Sequence, residues 1–191
     1  MKIALPAIAL VCAATTVLAS PVTYDIDPAH TYPSFEADHM GGMSVWRGKF
    51  TKSTGTIVFD KDKSTGTVEV TVDTSSIDFG HEKLNEHAKT ADMFNVEKFP
   101  TAIYKGKLTH FQNGQPTEVE GEFTLLGVTK PLTLHIDQFL CKPHPMTHKD
   151  MCGADATGTF DRSDYGMAYG KQLGFKMQVK LSIQVEAVRQ G

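Results

Sequence analysis

Near the end of the chain, residues 175–185 alternate between apolar and polar side chains without exception. Successive side chains of a β-strand point to opposite faces, so the pattern predicts one strand with an apolar and a polar face. The strand would span about 35 Å at about 3.4 Å per residue, whereas a typical strand has about 5–6 residues. Long strands with one apolar face close readily into a barrel, whose interior holds either packed side chains or a ligand. The apolar side chains are Phe175, Met177, Val179, Leu181, Ile183 and Val185.

Seven other segments alternate in a similar way and are separated by turn signals. Asn113-Gly114 suits the positive φ angles of a tight hairpin, and Asp60-Lys61-Asp62 and Gly127 mark two further turns. The sequence therefore predicts a mainly β fold, an antiparallel barrel of about eight strands. The seven segments lie near residues 35–39, 55–59, 68–72, 102–108, 119–125, 132–136 and 154–160.

Residues 81–92 depart from this alternation and are rich in helix formers. Leu84, Ala88 and Ala91 recur at helical spacing, which predicts a short amphipathic helix on a long connection between strands. Phe94 and Phe99 follow the helix and add apolar surface beside it. The helix either caps one mouth of the barrel or packs against its outside, and the pattern leaves both arrangements open.

The first nineteen residues have the features of a secretory signal peptide. Lys2 supplies a positive charge, residues 3–17 are apolar, and Val17-Leu18-Ala19 suits signal peptidase. A membrane anchor is the alternative, but the apolar run is shorter than the ~20 residues that a membrane-spanning helix needs. We predict cleavage after Ala19, one domain over residues 20–191, and a periplasmic location with secretion as a further destination.

Charge and motifs exclude several classes of protein. The formal net charge is −3, and Lys and Arg do not cluster as they do on nucleic-acid-binding surfaces. The sequence contains no nucleophile elbow, phosphate-binding glycine loop or dinucleotide-binding motif. We therefore expect no enzyme activity, no catalytic residues, no metal and no cofactor.

Two short polar motifs have both a catalytic and a structural interpretation. Asp38-His39 matches half of an acid–base pair, but we favour His39 as a polar group that lines or rims the barrel interior. Residues 161–164, Asp-Arg-Ser-Asp, also contain groups used in catalysis. We favour a turn with an Arg–Asp pair at that position.

Cys141 and Cys152 remain once the signal peptide is removed, and the compartment to which the chain is exported is oxidising. We predict that they form a disulfide across a long hairpin loop. The alternative is a Cys2His2 metal site with His144 and His148. Export favours the disulfide, and two prolines stiffen the loop between the candidate ligands.

The predicted interior is dominated by Phe, Met, Leu, Ile and Val, a composition that suits the desolvation of a hydrocarbon chain. A filled core needs the same composition, so composition alone does not establish a cavity. If the barrel is hollow rather than filled, this face would line a tunnel for such a chain. The assigned residues are Phe35, Ala37, His39, Phe50, Phe94, Phe99, Phe123, Leu125, Leu134, Phe160, Phe175, Met177, Val179, Leu181 and Ile183.

A closed barrel admits a long ligand only at a mouth, because hydrogen-bonded strands do not separate readily. The loop at 40–46 contains Gly41-Gly42, which gives the backbone freedom. We predict that this loop and Leu84 of the helix form the portal. The adaptable apolar side chains of the loop are Met40, Met43 and Trp46.

Several short motifs, in order along the chain, resemble the YceI-like family of exported lipid-binding proteins. Each motif is weak alone, but their number and order cover the whole of residues 20–191. They are Tyr24-Asp25-Ile26-Asp27-Pro28-Ala29-His30, Phe35 with His39, Gly48-Lys49-Phe50 before Gly55, Thr74-Ser75-Ser76-Ile77-Asp78, residues 87–94 (HAKTADMF), Lys98-Phe99-Pro100, residues 121–131 (GEFTLLGVTKP) and residues 162–167 (RSDYGM).

The resemblance implies an eight-stranded, lipocalin-like antiparallel barrel whose tunnel accommodates a long polyisoprenoid or isoprenoid-quinone chain. The expected function is non-covalent binding of such a lipid in the periplasm, for transport or sequestration. The expected partners are the isoprenoid lipid, a transiently contacted membrane and, as in some members of the family, a second copy of the chain. The alternative function is an exported, stress-linked metal- or redox-responsive protein that uses the Cys/His loop.

Overall fold

The computed structural model describes residues 20–191, so the predicted signal peptide at 1–19 lies outside the described residues. This part of the chain forms eleven β-strands and one α-helix. Within it, no helix combines the length and the apolar character needed to cross a membrane. The elements are β1 (Val22–Ile26), β2 (Tyr32–His39), β3 (Ser44–Phe50), β4 (Ser53–Asp60), β5 (Thr65–Asp73), β6 (Ile77–Asp78), α1 (Glu82–Lys89), β7 (Thr101–Thr109), β8 (Glu118–Leu125), β9 (Val128–Pro143), β10 (Asp150–Asp161) and β11 (Gln178–Arg189).

Eight strands close an antiparallel barrel in the order β1-β4-β5-β7-β8-β9-β10-β11, and pairing of β1 with β11 completes the ring. The predicted fold class is thereby confirmed. Strand β11 is shared between two partners: residues 187–189 pair with β1, and residues 179–184 pair with β2. Strands β2, β3 and β6 therefore extend the wall beyond the ring from the N-terminal part of β11.

Helix α1 lies where this extension ends. It follows β6, the last strand of the extension, and is joined to it through Asn85. The Asn85 side chain accepts a hydrogen bond from the Phe79 N–H at 2.8 Å and donates one to Asp78 Oδ1 at 3.1 Å. Ala88 on the inner side of the helix is fully buried. The helix thus packs against the end of the barrel, which decides between the two arrangements left open by the sequence.

The predicted helix over 81–92 is too long, since α1 covers Glu82–Lys89. The Thr90 N–H donates to the His87 carbonyl at 3.1 Å in a tighter turn, and Asn95 has a positive φ of 44°. Ala91 is exposed beyond the helix end. The apolar spacing therefore continues past the point at which the backbone leaves the helix.

The strand predicted over 175–185 lies further along the chain, at Gln178–Arg189. Residues 175–177 are held by other contacts before the ladder begins. The Phe175 N–H donates to the Gly170 carbonyl at 3.2 Å, and the Lys176 N–H donates to Asp38 Oδ2 at 2.9 Å. The apolar–polar alternation therefore begins at residue 175, before the strand does, because the N–H groups of residues 175 and 176 donate to other partners and not to a neighbouring strand.

Two predicted loops are shorter than expected because paired strands continue into them. The portal loop at 40–46 is a turn at 40–43 closed by the Met43 N–H and the His39 carbonyl at 3.1 Å, and Ser44 onward belongs to β3. Strands β9 and β10 continue through the two cysteines, which leaves a loop at residues 144–149.

The tight turns at Asn113-Gly114 and Leu126-Gly127 have positive φ angles, as the Asn-Gly and Gly signals predicted.

The barrel interior divides into two packed regions. We call the region at the disulfide end the filled half. Its buried side chains are Tyr24, Ile26, Phe59, Tyr104, Leu108, Val119, Leu132, Leu134, Cys152, Ala156 and Ala187. We call the region at the α1 end the pocket half. Its buried side chains are Phe35, Ile77, Ala88, Phe94, Ala102, Leu125, Tyr165, Met167 and Val179.

Tyr104 helps to close the filled half. Its hydroxyl lies 3.0 Å from the carbonyl oxygens of Val119 and Leu132 and shares its one proton between them, which satisfies a polar group inside an apolar core. Gly121 leaves room for this ring, because a Cβ atom there would lie 2.7 Å from the Tyr104 hydroxyl oxygen. Phe59 stacks on Phe111 at 6.2 Å and meets Phe139 at 5.7 Å in the same half.

Candidate functional site

The pocket half contains a cavity of about 300 Å³ with an almost entirely apolar wall. Thirteen of the residues assigned to the tunnel or portal from the sequence line it. Their role in binding a lipid remains a prediction. They are Phe35, Ala37, His39, Trp46, Phe50, Leu84, Phe94, Phe123, Leu125, Phe160, Phe175, Val179 and Leu181.

Six assigned residues lie outside the cavity wall. Leu134 and Ile183 pack in the filled half, where the same alternating faces continue past the cavity. Met177 is buried, and its carbonyl accepts the Arg162 N–H at 2.9 Å. The remaining three do not line the cavity either: Phe99 packs near Gly127, and Met40 and Met43 are exposed on the turn after β2.

Aromatic rings form much of the cavity wall and fix its shape. Phe123 and Phe160 lie 5.4 Å apart between ring centroids, and Tyr165 packs on both at 5.5 and 5.4 Å. On the opposite side Phe35 meets Phe50 at 5.8 Å. Tilted and edge-on pairs at these distances are favourable for aromatic side chains, so the wall is built from rigid groups.

The mouth of the cavity is also aromatic. The His39 ring lies 5.4 Å from Trp46 and 5.3 Å from Phe175, and the His87 ring lies 4.8 Å from Tyr169. Apolar side chains are exposed on the turns beside the mouth and at the start of β3. Their clustering in one region distinguishes them from apolar residues scattered singly over a surface. They are Met40, Met43, Val45, Tyr169 and Leu173, with exposed fractions of 53, 76, 50, 44 and 69%.

Asp38 joins the two turns at the mouth. Its Oδ2 atom accepts the N–H groups of Gly41 and Lys176, each at 2.9 Å. The Lys176 N–H, followed by that of Gly41, holds the pKa of the Asp38 carboxyl below its usual value. The carboxylate therefore acts on the backbone, which supports its structural interpretation over an acid–base pair with His39.

Arg162 lies in the cavity wall directly after β10, and only 6% of the residue is exposed to solvent. Its guanidinium donates to the Met167 carbonyl at 3.1 Å and the Tyr169 carbonyl at 2.8 Å. The predicted turn at 161–164 is present, but its Arg–Asp pair is not formed as an ion pair. Asp161 instead accepts the Ser163 N–H at 2.8 Å and caps a short 3-10 turn.

The sequence analysis missed eight wall residues, most of which stand outside the alternating segments; Asp38 and Ala102 lie within them but were not assigned to the wall. Arg162, Met167 and Tyr169 belong to the irregular segment between β10 and β11, and His87 lies on α1 one helical turn from Leu84. The i, i+3 spacing of Leu84 and His87 is the one signal that would have indicated His87. The wall residues missed are Asp38, Phe79, His87, Met93, Ala102, Arg162, Met167 and Tyr169.

The predicted disulfide is confirmed, with 2.01 Å between the sulfur atoms of Cys141 and Cys152. Both thiol groups needed for a Cys2His2 site are therefore bonded to each other. His144 Nδ1 accepts the N–H groups of Met146 and Thr147 at 3.1 and 3.2 Å and caps the loop. The loop consequently has a structural arrangement rather than that of a four-ligand metal site.

A second polar cluster lies on the surface away from the cavity. His110 Nε2 is 3.3 Å from Glu120 Oε1 and 3.7 Å from Glu118 Oε2, and His135 Nδ1 is 3.3 Å from Glu118 Oε1. The ligand-type atoms of His110, Glu118 and Glu120 are close enough to surround a cation. They also contact each other directly, so these surface contacts account for their arrangement.

Comparison with known proteins gives matches over nearly the whole chain. The YceI-like domain model matches residues 24–187. A UPF0312 protein of Pectobacterium atrosepticum is 31% identical over 190 residues, which cover 98% of this chain and 96% of that relative. The protein YceI of Salmonella arizonae is 33% identical over 180 residues, 92% of each chain.

Solved structures show the same fold at lower identity. BcnA of Burkholderia cenocepacia superposes with a TM-score of 0.66 at 18% identity, over 84% of this chain and 98% of that one. A polyisoprenoid-binding domain of Saccharophagus degradans superposes with a TM-score of 0.63 at 12% identity, over 88% of this chain and 99% of that one.

Proposed function

The chain belongs to the YceI-like family, and we propose that it binds a long-chain isoprenoid lipid, a polyisoprenoid or an isoprenoid quinone, in the cavity of the pocket half. Binding is non-covalent and leads to transport or sequestration of the lipid rather than to a reaction. The observation that carries the proposal is the cavity of about 300 Å³ with an almost entirely apolar wall. The polyisoprenoid-binding domain of Saccharophagus degradans, which has the same fold, supports the choice of lipid.

The cavity volume defines how much of the lipid is enclosed. A cavity of about 300 Å³ holds only part of a long isoprenoid chain. Each methylene-sized group buried in it contributes about 0.8 kcal/mol before ordering costs are subtracted. The rest of a long isoprenoid then extends through the mouth, or helix α1 moves outward to lengthen the cavity.

The exposed apolar residues beside the mouth support a route for loading. A lipid chain has low solubility in water, so its transfer is easiest where the mouth contacts a membrane surface directly. Met43 and Leu173 are the most exposed apolar side chains of this region and would enter the lipid interface first. The expected location is the periplasm, where the outer and inner membranes both provide such a surface.

The test compares how well two variants, substituted at neighbouring positions of β11, retain the lipid. Val179 faces the cavity, whereas Lys180 is exposed on the opposite face. We expect Val179→Asp to lose the lipid, because it introduces a charge into a largely apolar wall. Lys180→Ala should retain it.

The measurement is native mass spectrometry of each variant purified from the cells that make it, followed by mass identification of any released lipid. Circular dichroism checks that Val179→Asp remains folded. Lipid of isoprenoid mass in the wild type and in Lys180→Ala only is the expected result. A folded Val179→Asp protein with normal lipid content would overturn the proposal, as would a wild type that neither co-purifies with nor takes up an isoprenoid.

A further inference from the structure

Arg162 is a buried charge in the wall of a largely apolar cavity, whose other charged wall residue is Asp38. It follows β10 directly, and the short 3-10 turn that begins there ends at Gly166 with a positive φ of 87°. The backbone of Arg162 is also fixed, because its N–H donates to the Met177 carbonyl at 2.9 Å. The guanidinium is therefore held at one position of the wall rather than left free to reach solvent.

The hydrogen bonds of the guanidinium account for only part of its capacity. It donates to the carbonyl oxygens of Met167 and Tyr169, whereas an arginine side chain carries five N–H donors. None of the ion pairs formed among residues 20–191 includes Arg162. The charge is thus bonded to neutral carbonyl groups alone.

The nearest acidic groups are engaged elsewhere. Asp161 accepts from the Ser163 N–H and hydroxyl, and Asp38 accepts from the N–H groups of Gly41 and Lys176. Burial lowers the pKa of Arg162, and attraction by Asp161 and Asp38 at longer range offsets part of that effect. Arginine nevertheless remains protonated in proteins, so a positive charge persists in the wall.

A buried charge without a directly paired counter-charge is costly to keep. One explanation is structural: Arg162 holds the segment at 167–169, which carries Tyr169 to the mouth. That role uses two donors and needs no counter-ion. The donors left over, beside a cavity that fits a hydrocarbon tail, point to a ligand that supplies oxygen acceptors and negative charge.

We propose that Arg162 binds the oxyanion head group of an amphiphile, a phosphate or a carboxylate, while the apolar tail of the same molecule fills the cavity. This inference rests on the proposed function, because it assumes that the cavity takes an isoprenoid chain. It narrows the ligand class from isoprenoids in general to those with an acidic head. Charge-assisted hydrogen bonds from a planar guanidinium are the strongest contacts available for such a head.

The test compares ligands that share one tail and differ in the head. Geraniol, geranyl phosphate and geranic acid are titrated below their micellar concentrations by displacement of a fluorescent apolar reporter. We expect the wild type to bind at least one of the two acids more than tenfold tighter than the alcohol. The phosphate and the carboxylate arms show which oxyanion is preferred.

The variants are Arg162→Gln, Arg162→Lys and a matched control, Arg47→Gln. Arg47 is exposed on β3 and pairs with Glu36 at 2.8 Å, so its substitution removes one positive charge without touching the cavity. We expect Arg162→Gln to lose the preference for the acid by at least tenfold while its affinity for geraniol changes by less than about threefold. Arg162→Lys should keep part of the preference, and Arg47→Gln all of it.

The alcohol serves as the folding control, because a variant that binds geraniol normally has an intact cavity. If Arg162→Gln unfolds, the preference for the acids over geraniol is still measured in the wild type and in Arg162→Lys. Equal affinity of the wild type for geraniol and both acids overturns this inference but leaves the proposed function standing. Absence of binding to all three ligands counts against the proposed function itself. An unchanged acid preference in folded Arg162→Gln also overturns the inference.

Discussion

The two halves of the barrel are built from the same kinds of side chain, yet one is filled and the other encloses a cavity. In the filled half, the Tyr104 ring packs over Gly121 of the neighbouring strand, and its hydroxyl lies 3.0 Å from the carbonyl oxygens of Val119 and Leu132. In the pocket half, aromatic rings stand around the cavity wall. The difference lies in where the large side chains point and which strands leave the ring, not in how apolar the halves are.

The strand pairing explains why the cavity is at the α1 end. Strands β2, β3 and β6 extend the wall beyond the closed ring there, and helix α1 and the segment after it pack against the end of that extension. The filled half keeps the closed eight-stranded ring. A helix joined to the sheet by side-chain hydrogen bonds can move more easily than a strand paired on both sides. The comparison therefore predicts that the filled half is rigid and that the pocket half opens at the α1 end.

The largest expected effect comes from the same truncation made in each half. Leu134 is 7% exposed in the filled half, and Leu181 lines the cavity. We expect Leu134→Ala to lower the free energy of unfolding by about 2–5 kcal/mol, as for other fully packed leucines. Leu181→Ala should cost about half as much, because the removed atoms already lack packing partners on the cavity side.

Urea unfolding measures the two free energies, and reporter displacement by geraniol measures ligand affinity. Leu181→Ala should change that affinity, while Leu134→Ala leaves it within about twofold. Equal losses of stability, or a loss of affinity in Leu134→Ala alone, would contradict the distinction between the halves.

The disulfide is expected to stabilise the filled half without influencing the cavity. Cys141 and Cys152 are separated by 11 residues along the chain, and Cys152 packs in the filled half. For a short closed loop the expected contribution is about 2–3 kcal/mol. The double variant Cys141→Ser/Cys152→Ser should lose this amount in urea unfolding and keep the barrel, as judged by circular dichroism. A change in geraniol affinity greater than about threefold would show that the halves are coupled.

Tyr104 provides a pH test of the filled half. Burial raises the pKa of its hydroxyl, so the neutral form is favoured in the folded state. The resulting stabilisation is complete below the pKa of an unfolded tyrosine, about 10, and is lost as the pH rises above it. We expect Tyr104→Phe to cost about 1–2 kcal/mol near neutral pH, because the buried hydrogen bond shared by the Val119 and Leu132 carbonyl groups is lost.

The same variant should also lose less stability between about pH 9 and 11 than the wild type does. Urea unfolding at several pH values measures this slope. Tyr24 and Tyr165 also have raised pKa values and remain in both proteins, so only the difference between the two slopes reports on Tyr104. Identical slopes would mean that the Tyr104 hydroxyl is not confined as the structure indicates.

Much of the fold was predictable from the sequence because strand alternation and turn residues are local signals. The Asn113-Gly114 turn and the eight-stranded ring follow from them. The ends of elements were less predictable. Lys176 has the alternation of β11, but its N–H is bound by Asp38, a residue 138 positions away in the chain.

The cavity itself was only partly predictable. Alternation identified Val179 and Leu181, and it identified Ile183 equally well although Ile183 packs in the filled half. Whether an inward residue meets a cavity or another side chain depends on side chains from strands distant in sequence, such as those of the filled half against which Ile183 packs. Arg162 and His87 lie outside the alternating segments, so no periodic signal marked them.

A crosslink across the mouth of the cavity should have the smallest effect on stability but a large effect on the rate of lipid exchange. If the α1 end opens for the ligand while the ring stays closed, joining the turn at 40–43 to α1 should slow exchange of bound lipid without changing the fold. Met43→Cys and Leu84→Cys, linked by a flexible bifunctional maleimide, test this. The native cysteines do not compete for the reagent, because they are bonded to each other.

Exchange is followed by chasing a bound fluorescent lipid with excess unlabelled lipid, and the control is the same double variant capped with a monofunctional maleimide. We expect exchange at least tenfold slower in the linked protein than in the capped one, with unchanged circular dichroism. Equal rates would mean that lipid passes elsewhere, and the disulfide end would be the next site to link. That result would break the comparison most directly, because the α1 end would no longer be the half that opens for the lipid.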